Sequence, residues 1–85
     1  MAMTREEVSS IVVAKIQEQF RPRLTILDST TADQVQGWDS IAHTSLIMRL
    51  EIDFDIEFPD DELFVLRNVG ELIDLIKELC DAKGQ

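Results

Sequence analysis

"GWDSIAHTSLIMRLEIDF", residues 37–54, writes two helical faces into one segment. At about 100° per residue, Leu46, Ile47, Leu50 and Phe54 share one broad face, at i, i+1, i+4 and i+8, and predict a helix packed on a core. Ile41, Met48 and Ile52 fall on the opposite side, with Ser45 between them and Arg49 and Glu51 on the flanks. A helix that is apolar on two opposed faces has two things to touch. Asp39 stands just before it as the expected N-cap, so the helix is expected from Ser40 to Asp53 or Phe54.

Working upstream, Thr4 and Glu7 have the serine/threonine–x–x–glutamate spacing of a capping box and predict a helix from about Arg5 to Phe20. Its apolar face is Val8, Ile11, Val12, Ile16 and Phe20, and Pro22 ends it. Residues 21–38 show no sustained period. A connection of that length tends to be functional or to cross the domain and pack down, and Leu24, Ile26, Leu27, Val35 and Trp38 point to packing down. Downstream of Pro59, "DDELFVL" allows a short helix with Leu63 and Leu66 facing inward. Asn68 and Glu71 repeat the cap spacing, and Leu72, Ile73, Ile76, Leu79 and Cys80 predict a last helix from about Val69 to Cys80. With no strand-like alternation and no repeat, the expected fold is all-α. It is a four-helix bundle with a long loop between helices 1 and 2 and a short third helix, one domain over residues 1–85 with an ordered core of about 4–80.

Eighty-five residues suffice for a small core and leave little room for the clefts and cofactor folds of most enzymes. Eight Lys+Arg against seventeen Asp+Glu give a net charge of −9, which repels nucleic acid and favours basic protein surfaces. The charge is uneven: Glu51, Asp53, Asp55, Glu57, Asp60, Asp61 and Glu62 follow one another with no intervening base, so the partner-facing end is expected in the second half. One cysteine rules out an internal disulfide and a cysteine-rich zinc site, as suits a reducing cytosol. No apolar run approaches the roughly 20 residues that span a bilayer, and "MAMTREEV" lacks the pattern of a secretory leader. The expectation is a cytoplasmic monomer with no membrane insertion.

Most residues with chemical potential read as structure. His43 is the only histidine, so no histidine pair exists to bind metal, and its angular position places it against the loop near Trp38. Cys80 lies on the apolar face of the last helix as an inert buried thiol. The alternate acids Asp53, Asp55 and Glu57 suggest a calcium loop, but the sixth position is Phe58 where that loop needs glycine, and the twelfth is Phe64 where it needs glutamate. No metal site is expected. Ser40 is the strongest candidate. A serine is common at a first helical position, yet here it also sits where unpaired N–H groups and the dipole favour an attached phosphate by roughly 0.3–1 kcal/mol. No histidine or lysine is placed in the motif to activate it as a nucleophile of its own. The hydroxyl reads as an attachment point for another enzyme to modify.

The stretch "GWDSIAHTSLIMRLEIDFDIEFPDDEL" with "LRNVGELIDLI" resembles the acyl carrier proteins, and the likeness runs from Gly37 to Ile76 without a gap. Asp39-Ser40-Ile41 stands for the family's Asp-Ser-Leu, Phe54 for its phenylalanine fourteen residues after the serine, and Phe58-Pro59-Asp60 for Ile-Pro-Asp. The resemblance implies that Ser40 carries covalent 4'-phosphopantetheine from coenzyme A, installed by a magnesium-dependent holo-carrier-protein synthase. The arm's thiol would hold acyl groups as thioesters. It implies no catalytic residue in this chain. Its partners would be acyl-activating, acyltransferase or ketosynthase-type enzymes with basic surfaces, docking on Ile41, Thr44 and Met48, with Ile52 of the outward stripe and Glu51 of the acidic rim.

Departures narrow the pathway. Where general fatty-acid carriers tend to have acids two, five, eleven and twelve residues past the serine, this chain has Ala42, Ser45, Glu51 and Ile52, and it adds Arg49. Rim charge sets partner choice and association rate, so the expectation is a discrete carrier in a specialised polyketide, modified-lipid or polysaccharide route, with fatty-acid synthesis less favoured. A peptidyl or aminoacyl carrier shares the fold and the arm and is the near alternative. An unmodified acidic helical module that binds a basic partner through residues 51–62 is the alternative from another class.

Overall fold

A computed structural model describes residues 3–21, 23–59 and 66–83. Among them stand three α-helices, α1 (Arg5–Gln19), α2 (Ser40–Phe54) and α3 (Val69–Lys83), with a 3-10 turn at Ala32–Gln34. The short third helix expected after Pro59 lies outside the described residues, apart from Leu66, which is half-buried and irregular.

Each helix starts where its polar residues can serve the exposed first-turn N–H groups. In α1 the Thr4 hydroxyl accepts from Glu7 N at 3.1 Å and the Glu7 carboxylate accepts from Thr4 N at 2.9 Å, the reciprocal pair expected of a capping box. Hydrogen bonding to the carboxylate from Thr4, first from its backbone N–H and then from its side chain, holds the Glu7 carboxyl below its ordinary value. In α3 the Asn68 side chain accepts from Glu71 N at 2.8 Å. Glu71 does not close a box. Its carboxylate accepts instead from the backbone N–H and guanidinium of Arg67, which lowers its pKa, with the backbone bond the larger cause.

The core forms on the faces that the periodicity marks. Val8, Val12 and Ile16 of α1, Leu46, Ile47, Leu50 and Phe54 of α2, and Val69, Leu72, Ile73 and Ile76 of α3 are buried together with Phe58. Helix α1 packs against both α2 and α3. Helix α3 runs one turn beyond the expected Cys80, to Lys83. The added turn is held from outside, because the Lys83 ammonium donates to Phe54 O at 3.0 Å and pairs with Asp55 at 3.2 Å, satisfying the end of α2. Cys80 is half-buried and packs against the core, and burial pushes its thiol pKa up, consistent with an inert thiol.

The long connection packs down through Leu24, Ile26, Val35 and Trp38, but Leu27 is 60% exposed. The reason is a turn that closes on itself: Leu27 N donates to the buried Thr30 hydroxyl at 2.9 Å and Thr30 N to Leu27 O at 3.0 Å. The loop then caps α3 with its own backbone, Thr30 O accepting from Val69 N at 2.9 Å and Asp28 O from Gly70 N at 2.8 Å. A side chain at position 70 would press on this seam, since its Cβ would lie 3.1 Å from both Cβ and O of Asp28. Arg5 clips the same region, pairing with Asp28 at 3.0 Å and with Asp74 at 2.7 Å. Among the described residues, no helix is long and apolar enough to cross a membrane.

Candidate attachment site at the start of helix α2

The approach to Ser40 is a sequence of short backbone turns. Gly37 takes φ 91°, the left-handed region that glycine enters without strain, and Gly37 O accepts from Asp39 N at 3.1 Å. Asp39 is extended, and its carboxylate accepts from Ala42 N at 2.9 Å while its carbonyl accepts from His43 N at 2.8 Å. The N-cap expected from the sequence is in place. Ser40 is thereby fixed as the first residue of α2, with its side chain exposed. The N–H groups of Ser40 and Ile41 belong to the first turn, where a helix offers no internal acceptor.

Four side chains anchor this turn from behind. Trp38 stacks on Phe20 with ring centroids 5.3 Å apart and on His43 at 6.1 Å, and its indole N–H donates to His43 Nδ1 at 3.1 Å. Gln19 reaches across from the end of α1 and donates to Ala42 O at 2.9 Å. The sequence reading foresaw that Trp38 pins the loop and that His43 leans inward. It did not foresee Gln19 or the Phe20 stack; their signal was a polar-aromatic pair on the last turn before Pro22. Because His43 Nδ1 already accepts from the indole, the imidazole serves the turn. Behind it lies a cavity of ≈30 Å³, the size of a water, lined by Thr30, Trp38, His43, Leu66, Asn68 and Leu72 among others.

On the side of Ser40 away from Asp39 the surface carries a depression whose lining has no charged residue. Ser40, Ile41, Thr44, Ser45 and Met48 line one shallow depression. Ile41 is 82% and Met48 58% exposed, so α2 leaves its second apolar face unpartnered, as its pattern predicts. Thr44 donates its hydroxyl back to Ser40 O at 3.0 Å, so that polar group is spent within the helix. Ile52, 79% exposed, continues the stripe, and Glu51 sits at its edge. The Glu51 carboxylate is engaged: it accepts from Phe58 N at 2.9 Å and folds the chain after α2 back over the core. Among the described residues, no group of three or more His, Cys, Asp or Glu is placed to hold a metal ion.

These features find their counterpart in known proteins. Residues 10–76 match the family model described as the phosphopantetheine attachment site. An acyl carrier protein of Lactobacillus johnsonii is 36% identical over 78 residues, covering 88% of this chain and 95% of that one. One from Chlorobium phaeobacteroides is 33% identical, covering 88% of this chain and 92% of its own. The solution structure of holo acyl carrier protein from Geobacter metallireducens superposes with a TM-score of 0.82 at 30% identity, over 89% of this chain and 88% of that one. The chain belongs to the acyl carrier protein family. Its members are carriers and not catalysts, the group they bear is covalent phosphopantetheine, and they work with a phosphopantetheinyl transferase and with biosynthetic enzymes. The turn at Ser40 fits such a group, since it offers an exposed hydroxyl at the helix start, first-turn N–H groups for a phosphate and a neighbouring depression with no charged residue in its lining.

Proposed function

We propose that Ser40 is the residue that bears the phosphopantetheine arm, and that the chain carries acyl intermediates as thioesters in a specialised biosynthetic route. The observation that carries this reading is the exposed Ser40 hydroxyl at the head of α2, on a turn that Asp39, Gln19 and Trp38 hold in place. In the modification, the Ser40 hydroxyl gives its proton to a base of the transferase and forms a phosphodiester with the pantetheine-linked phosphate of coenzyme A, and adenosine 3',5'-bisphosphate leaves. Once bound, the arm supplies a thiol on which acyl groups ride as thioesters.

The chain's own contribution is placement. Asp39 fixes where the helix begins, the first-turn N–H groups and the helix dipole favour the negative phosphate, and Ile41, Thr44, Met48 and Ile52, with Glu51 at the edge, offer a docking face for the enzymes that serve the arm. The water-sized cavity behind Trp38 is too small for an acyl chain, so any sheltering of cargo there requires the loop and α3 to part. The absence of acids at Ala42, Ser45 and Ile52 supports a dedicated pathway over general fatty-acid synthesis. The reading takes the chain as one carrier domain, working as a monomer in the cytoplasm.

Incubation with coenzyme A, magnesium and a broad-specificity transferase is expected to add one phosphopantetheine mass to the wild-type protein and none to Ser40→Ala. Wild-type protein left unmodified by several transferases would refute the assignment. Comparing which acyl-activating or adenylating enzymes load the holo protein separates an acyl from a peptidyl or aminoacyl cargo.

A further inference from the structure

The chain sets eight cationic side chains among seventeen acids, and it does not spend them all alike. Arg5, Lys15, Arg49, Arg67, Lys77 and Lys83 each pair with a carboxylate. Arg21 and Arg23 are exposed, and among the described residues neither pairs with an acid. Where acids are in such excess, carboxylates should run short of cations and not the reverse. The two arginines stand in a stretch without any acid between Glu18 and Asp28. They are also held in place: Leu24 N donates to Arg21 O at 3.2 Å and Leu24 O accepts from the Gln17 side chain at 2.8 Å, so the turn folds back along the last turn of α1. That end of α1 is the part that abuts the Ser40 turn, through Gln19 on Ala42 O and Phe20 on Trp38. Beside it, Glu18 is shared between Lys15 at 3.7 Å and Arg49 at 3.9 Å, both long contacts, and Asp53 goes to Lys15 at 3.2 Å. The seam between α1 and α2 is therefore locally positive on a chain of net charge −9, with its two unpaired arginines at the end nearest Ser40.

We propose that Arg21 and Arg23 form a docking contact for the enzyme that loads the arm with its acyl group, and that this enzyme presents an acidic patch to them. The inference rests on Ser40 being the attachment residue. A protein is the occupant that the charges favour. Nucleic acids and anionic membranes are extended polyanions that a net charge of −9 repels, whereas a protein surface can set carboxylates against one spot and bases against the acids elsewhere. The guanidinium fork matches a carboxylate in two parallel hydrogen bonds. A contact of opposite sign to the rest of the surface also selects: an enzyme with a uniformly basic rim is repelled there, and one with the matching alternation is admitted. Loading is the step that needs such selection, because the arm is the same on every carrier and the acyl group is chosen when it is loaded.

The test uses the holo protein and the acyl-activating or adenylating enzyme of its host that loads it, with the loaded mass followed against carrier concentration at low and at high salt. Circular dichroism checks each variant's folding, and because neither arginine has an ion pair to lose, melting is expected to match the wild type. Arg21→Gln combined with Arg23→Gln is expected to raise KM for loading about three- to tenfold at low salt with kcat unchanged, and to converge on the wild type at high salt. Arg21→Lys combined with Arg23→Lys keeps the charge and is expected to stay within about twofold of the wild type; a zero-length carbodiimide should couple its new amines to carboxylates of the loading enzyme. Arm transfer to Ser40 is the control, since a transferase with a basic surface should bind the Gln pair, more acidic by two charges, as well as the wild type or better. A Gln pair loaded at the wild-type KM, an effect that persists at high salt, a Lys pair that neither restores loading nor cross-links, or a Gln pair whose arm transfer slows as much as its loading overturns the docking contact and leaves the attachment residue in place. A wild-type protein that gains no arm, a Ser40→Ala protein that does, or a holo protein that no such enzyme loads overturns the carrier reading and this inference with it.

Discussion

Removing the carboxylate of Asp39 separates two roles that its position combines. Its side chain makes one hydrogen bond at 2.9 Å to Ala42 N, on an exposed turn, and it places a negative charge at the positive end of α2. Loss of an N-cap of this kind costs about 1 kcal/mol, which in a domain of this size lowers Tm by about 4–8 °C. Asn keeps the accepting oxygen without the charge, so Asp39→Asn should retain most of the stability that Asp39→Ala loses. Thermal melts followed by circular dichroism measure this, and the rate of phosphopantetheine transfer to Ser40 measures its functional consequence. If Asp39 acts by fixing the helix start, the Asn protein is modified at nearly the wild-type rate and the Ala protein more slowly. Two results would refute the reasoning: an Ala variant that melts with the wild type, or an Asn variant that folds fully and yet is modified as poorly as Ala.

Two further outcomes follow from the packing and the caps. Gly70→Ala gains about 1 kcal/mol of helix propensity but drives its Cβ to 3.1 Å from the Asp28 backbone; overpacking of that kind costs about 1–3 kcal/mol, so melting should show net destabilisation, and a raised Tm would contradict it. The Glu7 carboxyl is held below its ordinary value by bonds from Thr4, so its contribution is complete above the unfolded carboxylate range near pH 4.3 and is lost as pH falls through the lower folded value. The gap in Tm between wild type and Glu7→Gln should therefore be widest near neutrality and close in acid, and a gap that widens below pH 4 would be the wrong sign.

What the sequence disclosed and what it hid divide along the range of the interactions. Helix α2 was legible because its periodicity places Leu46, Leu50 and Phe54 inside and Ile41, Met48 and Ile52 outside, and because Asp39 is a local cap. The Thr4–Glu7 box was legible for the same reason. The contacts that escaped join residues far apart in the chain. Gln19 bonds Ala42 across 23 positions, Lys83 reaches Phe54 across 29, and the loop carbonyls of Asp28 and Thr30 cap a helix that starts at Val69. Periodicity cannot register such meetings. Glu51 shows the limit from the other side: its sequence position suggests a rim acid, while the left-handed turn at Asp55, φ 53°, brings Phe58 N back to its carboxylate. Leu27 failed the simplest rule, apolar means inside, because a self-closing turn outweighed the burial of one side chain.

The Trp38 anchor has an experimental use. It is the chain's single tryptophan, and there is no tyrosine, so ultraviolet emission excited at long wavelength comes from one address two residues ahead of Ser40. Its ring lies against Phe20 and His43 and its N–H is bonded, so its emission is sensitive to small shifts in that turn. With the arm on Ser40 as proposed, the emission is expected to shift on loading, so that arm attachment, cargo and partner docking can be tested for in real time without a label.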